Sequence, residues 1–378
     1  MSRMLKELGV KPVINACGTV TVLGGCLVDD EVLEAVKEAA GVYVDMSELH
    51  TRAGAYIAKL TGAEAAYISA GAAAGLVLSV AACMTMGQTE LMTKLPRTEG
   101  MKNEVVVQKL HRNMYDYNLE IPGARLVEIG NEHRTRTEDL ERAINEKTAA
   151  VVYFVFDPQS GVLSLGEVIE TAHKRGVPVI VDAAAELPPK ENLTKFIKMK
   201  ADLVVFSGGK DIGAPNDTGI ILGRRDLIGN CMRLGPHSYE VVNSKRRVYF
   251  GRPMKSSKED ILALVVALRR YLAKDHTERI RESERKADYM IMQLSGFSSV
   301  GVRRVEPGPT HNRPACFPRV ELEFKNTQWS ADSLAAQLKK CDPPIYTYLM
   351  NERLYLNPQC LRDGEEGVVV SNIKKLLS

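Results

Sequence analysis

Short apolar runs alternate with helix-like windows along most of this chain, and that alternation constrains its fold more than any other feature. The runs are "EAAYIS" (64–69), "EVVVQ" (104–108), "ARLVEI" (124–129), "AAVVYFV" (149–155), "VPVIVDA" (177–183), "ADLVVFS" (201–207) and "TGIILG" (218–223). Between them lie "AAAGLVLSVAACM", "RTEDLERAINEK", "SLGEVIETAHKRG" and "ENLTKFIKMK". Strands that are apolar on every side, each followed by a helix, predict a mostly parallel sheet covered on both faces. In such sheets ligands bind beyond the carboxyl ends of the strands. Ser69, Asp182 and Lys210 each stand at or just past the end of an apolar run.

The alternation stops near residue 250. A long helical stretch follows, with a break near Asp275; "FPRVELEF" and "PPIYTYLM" then flank a helix, "SADSLAAQLKK", before "RLYLNP" and a last helix from about Gly364. A chain of 378 residues exceeds what one compact core usually covers. The expected organisation is an arm and helix over 1–45, a large α/β domain over 46–255 and a smaller α+β domain over 256–378. Hydrophobic residues at 45% and charged residues at 26% are ordinary for a soluble globular protein, and a net charge of +3 argues against a general nucleic-acid binder. The seven cysteines are scattered, with no CxxC pair, which fits a reduced compartment. The N-terminus lacks the apolar core of a secretion signal, and no run is long enough to span a membrane. A cytoplasmic protein is expected.

Chemistry concentrates at the strand ends. "FSGGK" brings Ser207, two glycines and Lys210 to the end of a buried strand. An amine at the edge of an apolar sheet is partly desolvated, which disfavours its charged form and suits a Schiff-base nucleophile; the ordinary alternative is a surface lysine in a glycine turn. Asp182 ends "VPVIVD" on what would be a neighbouring strand, where a carboxylate holds a pyridine nitrogen protonated; its alternatives are a helix cap or a metal ligand. "YISAGAAAGLVLS" runs a strand through Ser69, Ala70 and Gly71 into a helix of small residues, whose backbone N–H groups suit a phosphate. Simple tight helix packing is the alternative there. Small-residue loop, then Asp, then Ser-x-x-Lys is the order of a pyridoxal phosphate site. A dinucleotide site would need a GxGxxG after a strand, and a nucleotide loop a GxxxxGK[ST]; neither occurs.

At these residues the chain resembles the aspartate-aminotransferase-like (fold type I) pyridoxal phosphate enzymes. Within them it is similar to the branch of bacterial selenocysteine synthase and D-glucosaminate-6-phosphate ammonia-lyase. The resemblance spans "VINACGTVTVLGG", "LTGAEAAYISAGAAAGL", "VDAAAELPP", "FSGGKDIGAPNDTGIILGRRDLI" and "GRPMKSSKEDILAL". It implies that Lys210 carries the cofactor and shuttles the Cα proton, and that Asp182 pairs with the ring nitrogen. Gly71, Ala72 and Ser207, with Ser69 beside them, would hold the phosphate. His111 falls where the family places a ring-stacking residue; a capping histidine is the alternative. Gln159 would reach the cofactor's phenolic oxygen or the substrate. In the basic segment holding Lys245, Arg246 and Arg247, the family's RxxRxxK pattern reads Arg252, Lys255, Lys258, with one arginine replaced, so the bound anion differs. Arg319 is a candidate for the substrate carboxylate, in competition with Arg313 and Arg353; a guanidinium clamps a carboxylate with two parallel hydrogen bonds.

Pyridoxal phosphate does not by itself choose a reaction. Selenocysteine synthases are longer and grip tRNA with an N-terminal domain, which this chain, starting almost at the catalytic arm, is not expected to do. The expected reaction is α,β-elimination from a small anionic β-hydroxy amino acid, with D-glucosaminate 6-phosphate going to 2-dehydro-3-deoxy-D-gluconate 6-phosphate and ammonia. A selenocysteine synthase-like transferase, a racemase, an aldolase and an aminotransferase remain alternatives. No metal or nucleic-acid partner is expected. Active sites of this fold are usually built from two subunits, so a homodimer or larger homo-oligomer is expected.

Overall fold

The structure is a computed structural model that describes residues 3–155, 160–242, 245–306, 316–325 and 329–378, with the backbone alone for 239–242 and 245–247. Two compact units stand out, Cys26–Lys274 and the pair of segments Met1–Gly25 and Asp275–Ser378.

The larger unit is built on a seven-stranded sheet. Its strands are β1 (Ala65–Ser69), β2 (Glu104–Gln108), β3 (Arg125–Ile129), β4 (Thr148–Phe154), β5 (Val179–Asp182), β6 (Leu203–Ser207) and β7 (Gly219–Gly223). Across the sheet they run β1-β7-β6-β5-β4-β2-β3. All neighbours are parallel except β7, which is antiparallel to β1 and to β6. The continuous apolar runs follow from two-sided burial. Alternate residues feed two cores: Ile180, Leu203, Val205 and Ile221 face one, while Val179, Val181, Val204 and Ile220 face the other. The longer helices of this unit are α1 (Asp30–Ala40), α2 (Met46–Thr61), α3 (Gly71–Thr85), α4 (Thr137–Ala143), α5 (Leu165–Lys174), α6 (Asn192–Lys198), α7 (Arg225–Leu234) and α8 (Lys258–Ala273). Helices α3 and α7 cover the first face; α2, α4, α5, α6 and α8 cover the second. Helix α3 lies deepest, buried all round from Gly75 to Thr85, which is why its sequence shows no polar stripe.

The smaller unit holds a five-stranded sheet in the order Ile14–Ala16, Ile345–Met350, Arg353–Leu356, Arg319–Phe324, Val300–Val305. Helices α9 (His276–Leu294), α10 (Ala331–Leu338) and α11 (Glu365–Leu377) share its core. The arm contains a short helix at Arg3–Glu7 and the strand Ile14–Ala16, which pairs parallel with Ile345–Met350. The long helical stretch breaks where Asp275 caps α9, its carboxylate accepting from the Thr277 N–H at 2.8 Å. Helix α8 packs on α1 and α2 inside the larger unit. The compact division therefore falls between Lys274 and Asp275, whereas the sequence pattern suggested one near 255. No helix among the described residues is long and apolar enough to cross a membrane.

Candidate active site

One edge of the large sheet collects the carboxyl ends of β1, β2, β4, β5 and β6, together with the start of the reversed strand β7. Ser69, Gly219 and Ser207 are register partners across three adjacent strands. Asp182 pairs with Val205, two residues before Ser207, so its strand ends at the same edge.

Past Ser69 the chain turns through Gly71 at φ +85°, a left-handed conformation that only glycine adopts cheaply. The Ser69 hydroxyl donates to the Gly71 carbonyl at 2.9 Å, which fixes the turn. Helix α3 starts there without a side-chain cap. Its first N–H groups and the positive end of its dipole are therefore available to an anion. Nothing among the described residues lies within 4 Å of the Cβ position of Gly71, whereas a Cβ on Gly219 would sit 2.5 Å from the Gly71 carbonyl carbon. The turn is supported from behind by a bare strand and open in front.

The two glycines before Lys210 have a packing reason. A Cβ on Gly208 would lie 2.2 Å from the Thr218 hydroxyl, and one on Gly209 would lie 2.4 Å from Asn216 Cα. Bare backbone lets the segment coil tightly against 216–218. Lys210 itself breaks that coil at φ −95°, ψ −128° and is half-buried. The Cys26 N–H donates to the Gly209 carbonyl at 3.1 Å, tying the lysine turn to the start of this unit.

The Asp182 carboxylate accepts from the Ala184 N–H at 2.9 Å. Desolvation raises its pKa above the usual carboxylate range, opposed by that hydrogen bond and by the positive charge of Lys210. His111 follows β2, is 1% exposed, and meets Tyr153 edge-on with ring centroids 4.8 Å apart. The Gln108 amide nitrogen faces His111 Nδ1 at 3.5 Å, and its carbonyl accepts from the Leu163 N–H at 2.7 Å, so the histidine is seated on a fixed neighbour. Burial pushes the imidazole pKa down to about 4, leaving a neutral ring at neutral pH.

The basic segment divides. Arg252 and Lys255 are exposed and within electrostatic reach of His237, whose pKa is lowered first by burial and then by their charges. Lys258 opens α8 and pairs with Glu259. The side chains of Lys245, Arg246 and Arg247, and all of Gln159 and Arg313, lie outside the described residues. In the smaller unit Arg353 is engaged with Glu321 and Glu323, each at 3.0 Å. Arg319 is 5% exposed and donates to the Phe317 carbonyl at 3.0 Å; burial lowers its pKa to about 10, so it is charged at neutral pH. Sequence reasoning missed Gly219 and Cys26. Their parts depend on register and on a contact between distant segments, which no local pattern shows.

These residues fit a pyridoxal phosphate. An uncapped helix start with an open turn suits its phosphate, a desolvated carboxyl favours a cationic ring nitrogen, and a lysine stands at the same sheet edge. Fold and site together define an aspartate-aminotransferase-like pyridoxal phosphate enzyme, as the sequence led us to expect.

Comparison with known proteins narrows the class. The chain belongs to the SelA family, whose model, described as L-seryl-tRNA selenium transferase, matches residues 13–362. It is 32% identical to D-glucosaminate-6-phosphate ammonia lyase of Salmonella typhimurium, over 98% of this chain and 97% of that one. It is 34% identical to a 5'-C-glycyluridine monooxygenase-decarboxylase of a Streptomyces species, over 96% of this chain and 90% of that one. A solved structure of D-glucosaminate-6-phosphate ammonia-lyase superposes with a TM-score of 0.83 at 29% identity, covering 100% of this chain and 98% of the other.

Proposed function

We propose that this protein is a pyridoxal phosphate-dependent ammonia-lyase that removes water and then ammonia from a β-hydroxy amino sugar acid. The best substrate is D-glucosaminate 6-phosphate, giving 2-dehydro-3-deoxy-D-gluconate 6-phosphate. The observation that carries the reading is likeness to a lyase of that name over almost the whole of both chains, in sequence and in structure.

Bound at the sheet edge, pyridoxal phosphate supplies an aldehyde that holds the substrate amine and a ring that accepts the electrons of the broken Cα–H bond. The N–H groups at the start of α3, around Gly71 and Ala72, and the Ser207 hydroxyl would hold its phosphate, with Ser69 bracing the turn beside them. Asp182 would keep a proton on the ring nitrogen, and the neutral imidazole of His111 would lie against the ring. The Lys210 amine takes the proton from the substrate's Cα as the general base. The β-hydroxyl leaves as water, and hydrolysis of the resulting enamine, after tautomerisation, yields ammonia and the 2-oxo acid. Arg252 and Lys255, with Lys258 behind them, attract the far phosphate; Arg319 is proposed for the carboxylate, because Arg353 is already spent on two glutamates. Gln159 is proposed to contact the cofactor or substrate. The working protein is proposed to be a homo-oligomer in the cytoplasm.

A second reading has its own support in the 34% identity to a monooxygenase-decarboxylase. That chemistry consumes oxygen and releases carbon dioxide; the lyase does neither. Incubating the purified holoenzyme with D-glucosaminate 6-phosphate, and separately with a glycyl nucleoside, separates them. Stoichiometric ammonia and 2-oxo acid without oxygen uptake is the expected result. Oxygen uptake with carbon dioxide release, or racemisation without ammonia, would overturn the lyase.

A further inference from the structure

His111 is neutral at neutral pH, so one of its ring nitrogens carries a proton and the other a lone pair. Which is which decides what the ring can do. The protonated nitrogen donates a hydrogen bond, and the bare one can take up a proton. Another deeply buried histidine, His50 in α2, stacks on Tyr67 with centroids 5.0 Å apart and planes at 11°. Neither of its nitrogens has a hydrogen-bond partner among the described residues, so nothing there selects a tautomer. His111 differs, because a side-chain amide faces one of its nitrogens.

That amide belongs to Gln108, the buried last residue of β2. Its orientation is fixed by the backbone of Leu163. The Leu163 N–H can only donate, so the atom that meets it at 2.7 Å is the amide oxygen, Oε1. The amide nitrogen, Nε2, donates to the Leu163 carbonyl at 3.3 Å. A flipped amide would set donor against donor and oxygen against oxygen. With one hydrogen given to Leu163, the second is left for His111, whose Nδ1 lies 3.5 Å from the same nitrogen. An amide nitrogen offers no lone pair, so a proton on Nδ1 would oppose a donor in a buried place, where mismatched polar groups cost most. The ring is also held from other sides. Tyr153 meets it edge-on at 4.8 Å, and the Asn113 amide donates to the His111 carbonyl at 3.0 Å.

We propose that Gln108 is a positioning residue that holds His111 in the tautomer with its proton on Nε2 and its Nδ1 lone pair occupied. The consequence is a division of tasks. His111 can donate a hydrogen bond from Nε2 to an acceptor on cofactor or substrate. Its basic nitrogen is covered, so it does not compete with Lys210 for the Cα proton. This second part rests on the reading that His111 lies against the cofactor; the tautomer does not.

The test is nitrogen-15 NMR of histidine-labelled holoenzyme at neutral pH, with the His111 signals identified by their loss in His111→Phe. The expected result is a pyrrole-type shift at Nε2 and a pyridine-type shift at Nδ1. Gln108→Glu keeps an acceptor for the Leu163 N–H but presents a carboxylate oxygen to the ring, so Nδ1 should gain a proton and become pyrrole-type. Gln108→Leu removes the donor and should give a mixture of tautomers. A parent ring protonated at Nδ1 overturns the assignment by itself, even if neither variant folds. A pure Nε2–H tautomer persisting in both variants overturns the role of Gln108. Turnover of D-glucosaminate 6-phosphate is the second readout. Gln108→Glu should lower kcat at least about tenfold, since the wrong tautomer can cost a working histidine up to about 10⁴, while KM stays within about twofold. A changed tautomer with unchanged kcat would refute the division of tasks. If His111→Phe alters neither kcat nor the visible absorbance of the bound cofactor, the cofactor contact is wrong, and the NMR result still decides the tautomer.

Discussion

Asp182 has a carboxyl that burial disfavours as an anion and that the charge of Lys210 partly restores. A second positive group next to it, such as a protonated ring nitrogen, would restore it further, and in return the carboxylate would keep that nitrogen protonated. Asp182→Asn preserves the shape and the acceptor for the Ala184 N–H but cannot hold the proton. Its kcat should fall by about 10²–10⁴, the range for losing a positioned proton partner, with the cofactor still attached at Lys210 by its visible absorbance. A variant within twofold of the parent would remove Asp182 from the chemistry. His50 makes a separate prediction, on stability. Burial and the neighbouring His237 lower its pKa from 6.5 to about 4 in the folded chain. The unfolded chain therefore binds the proton first as pH falls. The stabilisation is complete above about pH 6.5 and is lost as pH drops through that window toward 4, at up to about 1.4 kcal/mol per pH unit. His50→Phe keeps the stack on Tyr67 and removes the titration. Between pH 7 and pH 5 its urea midpoint should lose less stability than the parent's, by about 2 kcal/mol. Parallel pH profiles for the two proteins would refute the assignment.

At the level of elements, legibility followed burial. The inner strands of the large sheet are covered on both faces, so they read as apolar runs, and Ser69, Asp182 and Lys210 could be placed by counting to the ends of those runs. Val300–Val305, "VGVRRV", has mixed burial, and Ile14–Ala16 has three residues, so neither carried a periodic signal. The active-site parts that stayed hidden are set by pairing. Gly219 looks like any glycine opening a strand, and its importance comes from lying beside Ser69 and Ser207 and against the back of the Gly71 turn. Gly219→Ala would drive a methyl to 2.5 Å from the Gly71 carbonyl carbon and 2.8 Å from the Ala72 nitrogen. Both are backbone, so the Gly71 turn proposed to hold the phosphate must itself shift. Cofactor affinity should fall at least about tenfold, equivalent to ~1.4 kcal/mol, measured by equilibrium dialysis of pyridoxal phosphate. Gly62→Ala, at a helix end with nothing within 4 Å of the Cβ position but at φ +70°, controls for mere backbone strain. Equal affinity loss in both variants would mean that strain, not the turn, was being read.

At the scale of the whole molecule, a run of apolar side chains is left uncovered by the fold among the described residues. Between α1 and α2 the chain presents Val42, Tyr43 and Val44 at 53%, 103% and 41% exposure, three consecutive apolar side chains in water. Single exposed hydrophobes are common, but a contiguous run with an aromatic at its centre has the composition of an interface core. A second copy of this chain is the cover that the homo-oligomer proposed above would supply. A two-fold contact uses the same patch on both partners, so each substitution is felt twice. Tyr43→Asp would place a charge where the interface should be dry. Loss of one central tyrosine typically costs about 2 kcal/mol, roughly thirtyfold in dissociation constant, and two copies per interface compound it. Sedimentation at micromolar concentration should show the variant shifting toward the monomer. Its specific activity should fall on dilution while the parent's stays constant, because a site that borrows from its neighbour fails when the neighbour leaves. A variant that sediments like the parent and keeps its activity on dilution would exclude this stretch from the subunit contact.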